Sequence, residues 1–270
     1  MKVSVIITSY NHADSIERAI ESVLLQKTTF DFHIVIVDDS STDDSIDIIR
    51  KYYKNSDKIG VVEFDRNLGI MQAYKTGFER CIGEYIFFCE CDDYWSTDDK
   101  MQQQVDYMDA NPDCGFCTHR VLTWKKGHMV DKSLPSNKVN NVISFNSLLR
   151  GNASIYAQSY CIRKSVFDKW IDFNFFARHF NVWDYPIVLE FIRRTRFHQL
   201  PFYGAVFVIK GESITNTNNR LKRLKLILGY AKIRTYYVLK YGCEPTTLVY
   251  LIYRFMRDLI SVILKRWTRN

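Results

Sequence analysis

In the stretch Tyr85-Ile86-Phe87-Phe88-Cys89-Glu90-Cys91-Asp92-Asp93-Tyr94-Trp95, an apolar run stops abruptly at three carboxylates and two aromatics. Gly83 in front and the acids behind bound a segment without polar alternation, the pattern of a strand buried on both faces of a parallel sheet. The acids therefore stand at the carboxyl end of that strand. Setting Glu90, Asp92 and Asp93 side by side is costly in desolvation and repulsion unless a cation neutralises them. A hard divalent ion, Mn2+ or Mg2+, answers that need with oxygen ligands and keeps positions for phosphate oxygens and water. The cluster thus predicts a phosphorylated ligand. The competing reading makes Asp92 and Asp93 caps of the next helix, where Ser96, Thr97, Asp98 and Asp99 already offer caps.

Upstream of this stretch the same alternation recurs. Residues 2–8 read as a strand, 9–12 as a loop, and Ile16, Ala19, Ile20, Val23 and Leu24 mark a helix, with Asp14 or Ser15 as its cap. A second apolar strand at 33–37 runs into Asp38-Asp39-Ser40-Ser41-Thr42-Asp43, followed by a helix through Ile46, Ile49, Tyr52 and Tyr53. A third strand at 61–64 leads into Asn67-Leu68-Gly69, which permits a left-handed turn, and then a helix to Cys81. Downstream, a helix is expected at about 100–110, with Met101, Val105 and Met108 inward. Alternating strands and helices imply a mostly parallel, Rossmann-like α/β sheet covered by helices. Ligands of such sheets bind beyond the carboxyl ends of the strands, where Asn11, Asp38, Asp39, Asn67 and the acidic turn all fall. No Gly-x-Gly-x-x-Gly fingerprint or Gly-Lys-Ser/Thr phosphate loop stands at these turns. A nucleotide held through carboxylates and a metal remains.

Beyond residue 114 the order loosens. One or two strands are expected within 116–124, a turn at 125–128, a polar loop at 132–141 and a short helix at 144–150. Residues 151–162 are small and polar, then strand-like, the composition of a pocket wall rather than a core layer. Asn181-Val182-Trp183-Asp184-Tyr185-Pro186 opens a helix, which places Asp184 at or near its N-terminus among large aromatics.

The bulk numbers fit a globular chain: 270 residues, 47% apolar, ample for a core. Seven cysteines is an odd count, and Met1-Lys2-Val3 leads straight into a strand-like run. The expectation is a reducing, cytoplasmic protein with structural cysteines rather than a zinc site built from Cys89, Cys91, Cys114 and Cys117. The net charge of +7 is uneven, because residues 217–270 hold twelve lysines and arginines against Glu244 and Asp258. That tail carries +10 and the remainder about −3, a distribution that excludes a nucleic-acid binder with a basic main cleft. The tail reads as two helices, 220–241 and 246–267, broken at 242–245. Two readings of it stand: a surface lying on an anionic membrane, or packing on the catalytic body or on a second subunit.

The landmarks together resemble the inverting glycosyltransferases of family 2, with the GT-A fold. The matching segments are Ser4-Val5-Ile6-Ile7-Thr8-Ser9-Tyr10-Asn11, Val37-Asp38-Asp39-Ser40-Ser41-Thr42-Asp43, Asn67-Leu68-Gly69, Gly83-Glu84-Tyr85-Ile86, Glu90-Cys91-Asp92-Asp93-Tyr94-Trp95 and Trp183-Asp184-Tyr185. The resemblance covers about residues 1–215. It implies a catalytic domain with a nucleotide-sugar half at about 1–113 and an acceptor half at about 114–215, followed by a helical extension at 216–270. It also implies that Thr8, Ser9, Tyr10, Asn11, Asp39, Asn67, Gly69 and Asp92 hold the nucleotide sugar, Asp39 through the pyrimidine ring. Asp93, with Asp92, would bind the metal, and Glu90 would be a more distant partner; Asp38 is a weaker candidate, and for Asp38 and Asp39 the competing reading is capping of the next helix, which Ser41, Thr42 and Asp43 can do without them. Asp184 falls at the position of the family's general base. Trp183 and Tyr185 would desolvate it and strengthen it as a base. His179 and His198 are rival bases. Lys210, with Glu212 and Ser213, either reaches the diphosphate or is a solvated loop residue.

Many members have Pro where Thr8 stands and Gly where Cys91 stands, and the Gln-x-x-Arg-Trp motif of processive members is absent. A single-addition transferase is expected, acting on a carbohydrate or lipid-linked sugar acceptor at the inner face of a cell membrane. Two other classes compete with it. A sugar nucleotidyltransferase would need a glycine-rich loop where Ser9-Tyr10-Asn11-His12 has no glycine. An inactive nucleotide-binding scaffold would have no need to keep Asp92, Asp93 and Asp184.

Overall fold

A computed structural model describes residues 1–131, 143–151, 155–209 and 219–263. Strands β1 (Val3–Ser9), β2 (Phe32–Asp38), β3 (Ile59–Glu63) and β4 (Tyr85–Phe88) alternate with helices α1 (Ile16–Leu24), α2 (Ser45–Lys54) and α3 (Ile70–Arg80). These strands pair in parallel in the order β3-β2-β1-β4, as their continuous apolar runs predict. β1 is buried along its whole length. Its alternating side chains serve two cores: Val5 and Ile7 pack with Ile16, Ile20 and Val23 of α1, and Ile6 packs with Tyr74 and Phe78 of α3. Each such fully buried aliphatic side chain contributes about 1.5–3 kcal/mol. Gly83 lets the chain enter β4 against β1. A Cβ there would lie 2.5 Å from the backbone of Val3 and Ser4, and the Gly83 amide donates to Ser4 Oγ at 2.7 Å.

A two-residue strand β5 (Tyr94–Trp95) and helix α4 (Lys100–Ala110) follow, then strands β6 (Cys114–Lys125) and β7 (His128–Asp131). Helix α5 (Phe145–Arg150), strand β8 (Cys161–Arg163), helices α6 (Lys164–Trp170), α7 (Phe173–His179) and α8 (Asp184–Arg194), and the long strand β9 (Arg196–Ile209) complete this part. The sheet continues past β4 as β8-β6-β9-β5, with β7 beside β6. Here antiparallel pairs enter, β4 with β8, β8 with β6 and β9 with β5, while β6 and β9 run parallel. The pairing of β5 with β9 ties the acidic turn to residues more than a hundred positions later, Tyr94 opposite Val206 and Trp95 opposite Ala205.

Helices α9 (Arg220–Tyr241) and α10 (Pro245–Ile263) close the described chain. Ile233 and Tyr237 of α9 are fully buried in the same cluster as α8, and the Tyr237 hydroxyl donates to the Pro186 carbonyl at 2.9 Å. Six cysteines are buried, and the seventh, Cys243, is partly exposed; all are free thiols. Among the described residues, the cluster able to hold a metal is made of carboxylates, not of cysteines.

Candidate active site

β4 delivers the acidic turn to the carboxyl edge of the sheet. Glu90, Asp92 and Asp93 each place a carboxylate oxygen within 4.8 Å of the others. Asp93 is fully buried, and its Oδ1 accepts from the Val208 amide of β9 at 2.7 Å. Its Oδ2 is buried with no hydrogen-bond partner. A carboxylate pinned by one oxygen and bare on the other, facing two more acids, fits a hard divalent cation. Asp99, not Asp92 or Asp93, stands at the N-cap of α4, and contrary to expectation its side chain does not cap the helix: it accepts from Thr97 Oγ1, while Asp98 pairs with Lys27 at 2.6 Å. Burial, then the charge of Asp92 and that of Glu90, pushes the Asp93 carboxyl well up, against the Val208 amide and Arg18. Arg18 lies 4.4 Å over the Tyr94 ring and donates to the Asp92 carbonyl at 3.3 Å, holding the turn from the α1 side.

Glu90 is raised to about 8 by burial, then by the charges of Asp92 and Asp184. Asp184, the first residue of α8, is therefore close enough to the triad for its charge to be felt there. Its own carboxyl is raised by burial, against the Tyr185 amide, which donates to Asp184 Oδ1 at 2.8 Å. The two flanking aromatics divide differently from the expected fence. Trp183 is 5% exposed and stacks on Tyr74 of α3 at 3.8 Å, so it anchors the helix start in the core and presents no open ring. Tyr185 donates from its hydroxyl to the Leu148 carbonyl at 2.9 Å and packs edge-on to Tyr230 of α9.

Tyr74 is the joint that sequence reading passes over as an inward helix position. Its hydroxyl donates to Glu90 Oε1 at 3.4 Å, the buried Thr8 lies near the same phenol, and its ring carries Trp183. One side chain thus links the acidic turn to the start of α8. Tyr230, from the tail, is the second residue missed; its phenol is raised by burial, then by the charge of Asp184. Both sit far from the acids in sequence, and no local pattern announces them.

A second cluster forms at the ends of β1, β2 and β3. Asn11, at φ 58°, accepts from the Thr42 amide at 2.7 Å and clamps the first loop to the second. Ser9 accepts from the Asp39 amide through its carbonyl at 2.8 Å, its hydroxyl is buried without a partner, and Tyr10 is 44% exposed beside it. Asp39 is buried, and both its oxygens are engaged, accepting from the Leu68 amide at 2.6 Å and the Gly69 amide at 2.8 Å. The Asn67 side chain donates back to the Asp39 carbonyl at 3.4 Å. Asp39 therefore shapes the 67–69 loop, with Gly69 at φ 87° supplying the left-handed turn. Asp38 accepts from the Ser41 amide and hydroxyl at 2.8 and 2.6 Å and does not cap α2. Asp44 stands at the N-cap of α2 without a side-chain cap, and Asp43, one residue earlier, accepts from the Ser45 amide at 3.0 Å. At α1 the Ser15 hydroxyl donates to Asp14, and the Ser15 side chain itself makes no cap.

The rival bases lie elsewhere. His179 bonds the Phe175 carbonyl at the end of α7, and His198 stacks on Tyr107 at 4.5 Å. Lys210, Glu212, Ser213 and the 132–141 loop lie outside the described residues.

The chain is 41% identical over 131 residues to a putative teichuronic acid biosynthesis glycosyltransferase, TuaG, of Bacillus subtilis, covering 48% of this chain and 51% of that one. It is 40% identical over 108 residues to the Escherichia coli UDP-Glc:alpha-D-GlcNAc-diphosphoundecaprenol beta-1,3-glucosyltransferase WfaP, covering 40% and 41%. It spans about half the length of the curated relatives it matches. Among solved structures, S. aureus TarS 1–349 in complex with UDP superposes with a TM-score of 0.69 at 16% identity, over 97% of this chain and 72% of that one. The mannosyltransferase PcManGT of Pyrobaculum calidifontis, with GDP-Man and Mn2+, gives 0.65 at 16%, over 97% and 73%. These likenesses show the fold, the GT-A arrangement that the resemblance implies. The description Glycosyl transferase family 2 matches residues 4–171, more than half of the 270 residues, and the chain belongs to that family.

Proposed function

We propose that the chain transfers a single sugar, with inversion, from a nucleoside-diphosphate sugar to an acceptor hydroxyl in the synthesis of a bacterial surface polysaccharide. The donor is a UDP-sugar and the acceptor a carbohydrate or a lipid-linked sugar. The observation that supports this reading most directly is a contact: Tyr74 donates to Glu90 of the acidic cluster at 3.4 Å while its ring stacks at 3.8 Å on Trp183, the neighbour of Asp184, so the candidate cation site and the candidate base share one side chain between them. Support comes from TarS, solved with UDP, and from TuaG and WfaP, whose names place them in surface or lipid-linked glycan assembly.

Asp93, with Asp92, would hold Mn2+ or Mg2+, Glu90 standing behind them. When bound, that ion supplies a Lewis acid for the charge that grows on the departing diphosphate. The 67–69 loop, held by Asp39, and the 8–11 loop, clamped by Asn11, form the base and ribose side. Asp184 takes the proton of the acceptor hydroxyl as that oxygen attacks the anomeric carbon from the face opposite the leaving group. Its raised pKa strengthens it as a base and requires a pH at which it is ionised. Transfer therefore rises with pH through the Asp184 value.

The test is UDP release from UDP-glucose and UDP-GlcNAc with Mn2+ and a lipid-linked sugar acceptor, in the parent and in Asp184→Asn. Acceptor-dependent release is expected in the parent, with a loss of about 10^2-fold or more in the variant and unchanged UDP affinity. Undiminished turnover in Asp184→Asn would remove the base assignment. Acceptor-independent incorporation of a sugar phosphate into a nucleotide would favour the nucleotidyltransferase instead.

A further inference from the structure

Helices α9 and α10 form an antiparallel hairpin, the Arg223 guanidinium donating to Ser261 Oγ at 3.3 Å, and among the described residues only one side of it is packed on the fold. On α9 the side opposite Ile233 and Tyr237 carries Leu221, Lys225, Leu228, Lys232, Thr235 and Leu239, at alternating spacings of four and three. The leucines of this stripe are 72%, 48% and 82% exposed, and α9 contains no acidic residue. On α10, Thr247 is fully buried, yet Val249, Ile252, Tyr253, Met256 and Ile260 are 47–69% exposed along the opposite side. Scattered exposed apolar residues need no explanation, but two helical stripes on adjoining helices do.

We propose that this hairpin is a seat for the surface of an anionic phospholipid bilayer. Residues 220–263 carry nine lysines and arginines against Glu244 and Asp258, and Glu244 is already paired with Arg150 at 3.0 Å. The charge calls for an anionic partner, and the leucine and isoleucine rows call for an apolar medium just beneath that charge. The headgroup and acyl layers of a bilayer supply the two in that order, with lysine stems reaching up from the apolar level. Nucleic acid has no apolar layer for Leu239 or Ile252. A second copy would set the lysines of one α9 against those of another, without an acid on either. Among the described residues no helix is long and apolar enough to cross a membrane, so the hairpin lies on the surface. It also flanks Asp184, since Tyr230 packs on Tyr185 at 5.4 Å and Arg254 donates to the Arg150 carbonyl.

The experiment is flotation of the full chain with vesicles of phosphatidylcholine alone and of phosphatidylcholine with 30% phosphatidylglycerol, a working composition of about that value. Two exposed-site variants are compared with the parent: Lys225→Glu with Lys232→Glu, and Ile252→Asn with Met256→Gln. Far-UV circular dichroism and sedimentation velocity are run on each. The parent should float with the anionic vesicles, not with the neutral ones, and lose binding at high salt. Each variant should bind at least about tenfold more weakly while remaining folded. Equal partitioning of parent and folded variants overturns the proposal. So does a concentration-dependent dimer that the apolar variant abolishes, with no vesicle binding by the parent, since the face would then belong to a second copy.

Discussion

At Asp93 the two oxygens of one carboxylate have separate duties: Oδ1 is spent on the Val208 amide, and Oδ2 is held bare in a buried acidic cluster. With its pKa raised, this residue weakens the metal-free fold as pH climbs above the ordinary carboxylate range, because the unfolded chain ionises first. Asp93→Asn should therefore stabilise the metal-free protein at pH 7 by on the order of 1 kcal/mol, read as a higher Tm, and abolish the further rise in Tm that Mn2+ gives the parent. Scanning calorimetry with and without EDTA reads both; a retained Mn2+ shift would take the ion off Asp93. Lys100 presents the opposite sign. Fully buried, with no hydrogen bond, its ammonium lies 4.0 Å over Trp95 and 4.5 Å over Phe87, and burial lowers its pKa to about 7. Between about 7 and 10.5 the unfolded chain holds a proton that the folded one has released, so stability rises with pH across that window and the penalty is full below it. Lys100→Met removes the penalty and loses the contacts with the rings. Its Tm gain over the parent should be larger at pH 6 than at pH 9.5, and equal gains would contradict the assignment.

At the scale of elements, β1 to β4 and their helices could be read from the sequence because each strand is a continuous apolar run and each helix shows one buried face. Past residue 114 that signal thins, although β6, α5 and α8 fall where the sequence puts a strand and two helices. β5, ahead of that point, and β8 are two and three residues long, too short to show a period, and exist because β9 and β4 pair with them. Helices α6 and α7 are short and rich in aromatics spread around the helix, so no face stands out. The site divides in the same way: its acids announce themselves at a strand end, whereas Tyr74, Tyr230 and the Val208 amide arrive through contacts distant in sequence. The 67–69 turn is a local element with a testable assignment. Asp39→Asn turns an amide donor toward the Leu68 or Gly69 N–H, and Gly69→Ala forces a side chain onto φ 87°, a strain of about 1–3 kcal/mol. If Asp39 acts by shaping the turn, both variants should weaken UDP binding by about tenfold or more in calorimetric titrations. A loss confined to Asp39→Asn would mean that its carboxylate meets the base directly.

For the whole molecule, the basic tail that the sequence sets apart from the catalytic body is also part of its core. Glu190 of α8 is 1% exposed and sits between Arg194 at 2.9 Å, Lys240 at 2.5 Å and the Tyr241 hydroxyl at 2.6 Å, so α9 neutralises a charge buried in α8. Burial would raise the Glu190 carboxyl, but Lys240, Tyr241 and Arg194 together hold it below 4.5. A depressed carboxylate stabilises the fold above its unfolded value and loses that contribution as pH falls through its folded value. Lys240→Met leaves Glu190 with one cation, and the partial exposure of Lys240 limits the loss to about 1–3 kcal/mol at pH 7. The deficit should shrink in acid, as pH falls through the depressed folded value and Glu190 becomes protonated in both proteins, and urea unfolding at neutral and acid pH measures it. A deficit that persists unchanged in acid would mean that Lys240 acts through its aliphatic packing on Tyr236 and Tyr237, not through the buried carboxylate.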